Sequence, residues 1–159
     1  MSHPHESTLP SPVRPCSPLE RIPVQVHRSS ADASRAVAHA IAALIRARNA
    51  AGSRAVLGLA TGSTPHAVYE ELVRLHQHEG LSFRNVTTFN LDEYWPMQPD
   101  DVQSYRRFMR EYLFDRVDLD PAHTHVPDGT VPRESIAASC DAYEAAIRES
   151  GGIDLQILG

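Results

Sequence analysis

The stretch that decides the fold is Ala55-Val56-Leu57-Gly58-Leu59-Ala60-Thr61-Gly62-Ser63-Thr64-Pro65. Its first six residues form a short, almost unbroken apolar run, the mark of a strand buried on both faces. Thr61-Gly62-Ser63-Thr64-Pro65 then reads as a tight turn into a helix. Pro65 suits the first helical position, with Ser63 or Thr64 as cap. Val68, Leu72 and Leu75 recur at helical spacing, and Gly80 ends the helix. Val86-Thr87-Thr88-Phe89-Asn90-Leu91 is the next strand. A strand, a helix and a strand in such close succession predict a right-handed parallel crossover.

Working outward, Ile22 to Val26 alternates like a strand. Ser29 or Ser30 then caps a helix running to about Asn49, with Val37, Ile41, Leu44 and Ile45 on its apolar face and Gly52 at its stop. Beyond Leu91 comes a Pro-containing loop, then a helix over about 103–114 with Tyr105, Phe108, Met109, Tyr112 and Leu113 on one stripe. Residues 115–133 read as loop with a short extended piece near His125-Val126. A last helix from about Glu134 carries Ile136, Cys140, Tyr143 and Ile147, and Ile153 to Leu158 is a final strand. This alternation predicts an α/β fold, a Rossmann-like three-layer arrangement around a mainly parallel sheet.

The 159 residues suffice for one domain and one core, with 42% hydrophobic residues. Residues 1–21 hold prolines, serines, His3, His5 and Cys16, a composition that supports neither helix nor sheet ladder, and they are expected to form a disordered tail ahead of a domain over 22–159. Charge excludes some classes: 15 basic residues against 20 acidic give a net of −5, a poor footprint for a nucleic-acid binder. All the basic residues are arginine, which excludes lysine Schiff-base chemistry and a lysine-bearing phosphate loop within these residues. Two cysteines do not make a disulfide scaffold, no apolar run would span a bilayer, and no signal pattern opens the chain, so a cytoplasmic protein without membrane partners is expected.

Ligands of open parallel sheets bind beyond the carboxyl ends of the strands. Thr61, Gly62, Ser63 and Thr64 stand at one such end. Glycine frees the backbone, the hydroxyls donate, and the following helix start offers N–H groups, so the loop suits a phosphate. An ordinary capped helix start is the alternative. Asp92 and Glu93 stand at the second end. Neighbouring strand residues face opposite ways, which predicts different roles for the two carboxylates, with Asp92 as a base if its surroundings are dry. A solvated strand end is the alternative. Tyr94 and Trp95 read either as a lid or sugar-stacking platform or as a loop anchor. His76 with His78, and His123 with His125, lack a third metal ligand; Asp115, Asp118 and Asp120 lack a calcium-loop pattern; Cys140 is expected to be an inert core thiol. No metal site is predicted.

Leu57 to Pro65, Ser82-Phe83, Thr88-Phe89-Asn90-Leu91-Asp92-Glu93-Tyr94, Ser104-Tyr105, Phe108-Met109 and Gly152 to Gly159 together resemble the glucosamine-6-phosphate deaminase family in order and spacing. The resemblance implies conversion of glucosamine 6-phosphate and water to fructose 6-phosphate and ammonia, formally a hydrolysis, with no metal or organic cofactor. It implies that Thr61 to Thr64 cradle the sugar phosphate and that Asp92 moves the proton between C2 and C1. Glu93 would support the loop and Tyr105 would lie at the mouth of the site. It also implies a homo-oligomer when complete. The family's next loop, with a catalytic His and acidic partners, would begin where these residues stop. The resemblance therefore casts them as an N-terminal portion, inactive, marginally stable and association-prone alone. Two other readings stand beside it: a 6-phosphogluconolactonase-like hydrolase, whose corresponding loop usually carries Asp-Glu-Arg, and a non-catalytic sugar-phosphate binder.

Overall fold

The computed structural model describes residues 23–158; the expected tail over 1–21 and residues Ile22 and Gly159 lie outside the described residues. Four parallel strands form one sheet: β1 (Ala55–Leu59), β2 (Val86–Asn90), β3 (Thr124–His125) and β4 (Leu155–Gln156), in the order β3-β2-β1-β4. The helices are α1 (Ser30–Ala50), α2 (Ser63–Glu79), α3 (Tyr105–Tyr112) and α4 (Ile136–Glu149). This is the expected α/β architecture. The order reverses at β1, whose neighbours are the second and the fourth strand in sequence, so the carboxyl end of β1 opens at the switch point of the sheet.

β1 and β2 are buried along their whole length; β1 is apolar throughout, as its run predicts, whereas β2 buries Thr87, Thr88 and Asn90 as well. Their register sets Leu57 against Thr88 and Leu59 against Asn90. On one face Ala55, Leu57, Leu59 and Val86 join the core built with Ala38, Ile41 and Ile45 of α1 and Tyr69 and Leu72 of α2. On the other, Phe89 stacks on His125 at a centroid distance of 4.4 Å and meets the Tyr143 ring of α4 edge-on at 5.6 Å. The last strand is fastened to the first: Val56 N–H donates to Asp154 Oδ2 at 2.9 Å, Asp154 N–H donates to Val56 O at 2.9 Å, and Arg48 pairs with the same carboxylate. Asp118 does comparable work on the loop before β2, accepting from Phe83 N–H at 2.6 Å and Ser82 Oγ at 2.8 Å.

Several local expectations are corrected. Pro23 to Val26 forms no strand: Val24 and Val26 are exposed, and alternation produces a strand only where a neighbouring strand accepts its ladder. Val37 lies outside the buried face of α1, which instead centres on Ala38, Ile41, Ala42 and Ile45. The N-cap of α2 is Gly62 rather than Ser63 or Thr64, so Pro65 falls at the third helical position. α3 starts at Tyr105, the first residue of the apolar stripe, two residues later than the expected start at about 103, because Ser104 caps it by accepting from Arg107 N–H. β4 is confined to Leu155–Gln156. Cys140 is exposed rather than a core thiol, since α4 buries no residue fully.

Candidate functional site

Thr61 and Asp92 each lie two residues beyond the paired Leu59 and Asn90, so both emerge at the same level on adjacent strands. Strands in a sheet are about 4.8 Å apart, so the two loops start side by side. The Leu91 N–H still reaches Leu59 O at 3.1 Å, holding the second loop against the first.

The first loop turns on Gly62, whose φ of 99° and ψ of −171° belong to a region that only glycine enters readily. No side chain caps α2, and no acidic residue occupies its first turn. α1, by contrast, has the Ser29 side chain as a cap and Asp32 in its first turn. The N-terminal dipole and N–H groups of α2, flanked by exposed Ser63 and Thr64 and half-buried Thr61, are therefore open to an anion.

The second loop separates its two carboxylates as the strand geometry predicts. Glu93 turns inward and is fully engaged. Its Oε1 accepts from Tyr94 N–H at 2.9 Å and Tyr105 N–H at 3.0 Å, and its Oε2 accepts from Ser104 Oγ at 2.8 Å and Arg106 N–H at 3.1 Å. It is thus the anionic cap of α3. Asp92 faces outward and is exposed, so nothing in residues 23–158 dries its surroundings.

Tyr105, the first residue of α3, completes the cluster. Its ring lies 4.8 Å from that of Tyr94. The neighbouring Tyr94 hydroxyl raises its phenol above the ordinary value, helped by burial and by the negative charge of Asp92, while the Thr61 side chain works the other way. Tyr105 thereby touches both loops. Trp95 is an anchor, its Nε1–H donating to Val131 O at 2.8 Å, although its ring remains half-exposed.

Reading the sequence did not single out Asn90. It is buried at the end of β2, and neither its amide oxygen nor its amide nitrogen has a hydrogen-bond partner among the described residues. The signal was available: an amide at the buried end of a strand needs a polar partner. The histidines behave as ordinary structural residues. His76 Nδ1 lies 2.6 Å from Leu81 O, and burial, with His123 and Arg106 nearby, lowers the pKa of His125. Among the described residues no group of three or more metal-ligating side chains assembles, and no helix is long and apolar enough to cross a membrane.

Residues 28–159 match the model of the family described as glucosamine-6-phosphate isomerases/6-phosphogluconolactonase. The chain belongs to this family. Its relatives include glucosamine-6-phosphate deaminase 2 of Bacillus subtilis, 48% identical over 118 residues, covering 74% of this chain and 47% of that protein. The glucosamine-6-phosphate deaminase of Halothermothrix orenii is 52% identical over 104 residues, covering 65% of this chain and 42% of that protein. Among solved structures, a monomeric glucosamine-6-phosphate deaminase superposes with a TM-score of 0.76 at 38% identity, covering 82% of this chain and 52% of that one. A 6-phosphogluconolactonase from Thermotoga maritima gives 0.62 at 26%, covering 79% and 52%. The chain thus spans about half the length of these family members.

Proposed function

We propose that the whole protein is a glucosamine-6-phosphate deaminase. The observation that carries this reading is the adjacency of an open helix N-terminus after β1 and an unengaged carboxylate, Asp92, after β2. In a family that joins two chemistries, the deaminase relatives support it further: the solved deaminase is nearer in identity and in superposition than the Thermotoga lactonase.

The phosphate of the sugar sits on the Thr61, Gly62, Ser63 and Thr64 loop, held by N–H groups and hydroxyls. In the open-chain sugar, Asp92 takes the proton from C2. The C2–H electron pair becomes the C1–C2 double bond of an enediol-type intermediate, and the aldehyde oxygen gains a proton. Asp92 then returns its proton to C1, the nitrogen remains on C2 as an imine, and water displaces it as ammonia. The balance consumes one water and needs neither redox partner nor cofactor. Glu93 holds the start of α3 and thereby the Asp92 loop, and Tyr105 spans the two loops at the mouth of the site. Family membership alone does not set the oligomeric state, since one solved relative is described as monomeric.

The test is Asp92→Asn in the full-length protein. Ammonia release from glucosamine 6-phosphate is expected to vanish while binding of a sugar-phosphate ligand persists. Turnover that survives the substitution refutes Asp92 as the base. A parent protein that opens 6-phosphogluconolactone and leaves glucosamine 6-phosphate untouched refutes the deaminase reading.

A further inference from the structure

On the side of the Asp92 loop away from Thr61 lies a cavity of about 260 Å³, between that loop, the turn at Pro127 to Val131 and the start of α4. Its walls are apolar and aromatic, with Leu91, Trp95, Val131, Ile136 and Tyr143 among them. Leu91, Tyr94 and Trp95 are each about half exposed, so three of the large apolar side chains left in solvent converge on one hollow. Such convergence marks a ligand site rather than scattered surface apolarity. The hollow is held open by backbone packing. Gly129 lies so close that a Cβ there would fall 2.6 Å from Tyr94 O, and Met97 N–H donates to Gly129 O at 2.9 Å.

The charged groups of the lining all carry one sign. Glu93, Asp128 and Glu144 line it, and no Arg or His does. Glu93 is spent on α3, which leaves Asp128 and Glu144 to face an occupant. Hydrogen bonds from the Thr130 side chain and N–H hold the Asp128 carboxyl below its ordinary range, so it is ionised at neutral pH. The Arg106 guanidinium acts on Asp128 and Tyr143 from outside the lining and donates to Val126 O at 3.1 Å. A sugar phosphate is the wrong shape and charge for this hollow. An aromatic ring with a short ammonium arm suits it, with the ring against Trp95, Ile136 and Tyr143 and the cation at the carboxylates.

We propose that this cavity is a second site, one that takes a small aromatic ammonium compound and rejects the matching anion. Its occupant would touch Glu93 and Tyr94, the residues that fix the Asp92 loop, yet the proposal does not depend on the deaminase reading.

Cys140 lines the same cavity and is exposed, which supplies a direct readout. Alkylation of Cys140 by iodoacetamide is followed on its own peptide by mass spectrometry, with phenethylammonium or the near-isosteric 3-phenylpropionate present. Phenethylammonium is expected to slow alkylation saturably, and phenylpropionate to bind at least about tenfold more weakly, a difference of about 1.4 kcal/mol. Glu144→Gln is expected to narrow that preference, and Ile136→Trp, which fills the hollow, to abolish protection. If Ile136→Trp does not fold, saturable quenching of Trp95 emission in the parent reads the same binding. Equal protection by cation and anion, or none by either, overturns the proposal.

Discussion

Glu93→Ala tests how the site is held together. One carboxylate serves four donors, at 2.9 and 3.0 Å on Oε1 and 2.8 and 3.1 Å on Oε2. Tyr94 is exposed, so its N–H rehydrates at little cost, and the Ser104 hydroxyl can turn elsewhere. The lasting loss falls on the N–H groups of Tyr105 and Arg106, in the first turn of α3. Hydrogen bonds to a charged acceptor contribute about 1.5–3 kcal/mol each, and loss of a cap costs about 0.5–2 kcal/mol. The two losses overlap, so we expect a total near 2–3 kcal/mol. For a domain of this size that lowers Tm by about 4–12 °C. Glu93→Gln restores one acceptor but turns an amide NH₂ towards a second donor, and about half the loss is expected. Thermal unfolding followed by far-UV circular dichroism measures both. An alanine variant that melts within about 1 °C of the parent would refute the clamp, whatever its activity.

Two further outcomes follow from the same geometry. Gly62→Ala meets no atom within 4 Å, so its whole cost is backbone conformation, about 1–3 kcal/mol. Lower Tm together with weaker inorganic-phosphate binding is expected by melting and calorimetry, and an unchanged isotherm would remove Gly62 from the anion loop. For Asp118, burial works to raise the carboxyl, but the Phe83 N–H, the Ser82 hydroxyl and His76 together hold it below the ordinary carboxylate range. A depressed folded value gives stability that is present above the unfolded value and is lost as pH falls through the folded one. Asp118→Asn should therefore lower Tm at pH 7, and the gap from the parent should close in acid below pH about 4; a gap that does not change with pH would contradict this.

The centre of the fold was legible because β1 is an apolar run buried on both faces, followed by a helix with a clear start and stop and then by β2. The edges were less so. Val24 and Val26 alternate as well as any strand, but a strand also needs a neighbour, which no local pattern reports. Val37 sits at helical spacing with buried residues and Cys140 with half-buried ones, yet periodicity gives a face without saying how far the covering layer extends. Thr61 and Asp92 could be placed together because both follow strands whose register is set by burial. The Tyr94–Tyr105 contact could not, since it depends on how a long Pro-containing loop returns to the sheet. The split of Asp92 from Glu93 was predictable from strand alternation, but the four donors awaiting Glu93 come from α3 and were not.

The Asp154 fastening also has a consequence in time. Val56 and Asp154 are 98 residues apart in the chain, and their paired hydrogen bonds join β4 to β1. On a ribosome adding about 5–20 residues per second, β1 leaves the exit tunnel roughly 5–20 s before its partner does. During that interval β1, α2 and β2 can assemble from near-neighbour contacts, while the other side of β1 waits with its N–H and C=O groups unclaimed. The acid that ends the wait lies just before the strand it anchors, so the Asp154 carboxylate and Arg48 can meet as β4 arrives and set its register first.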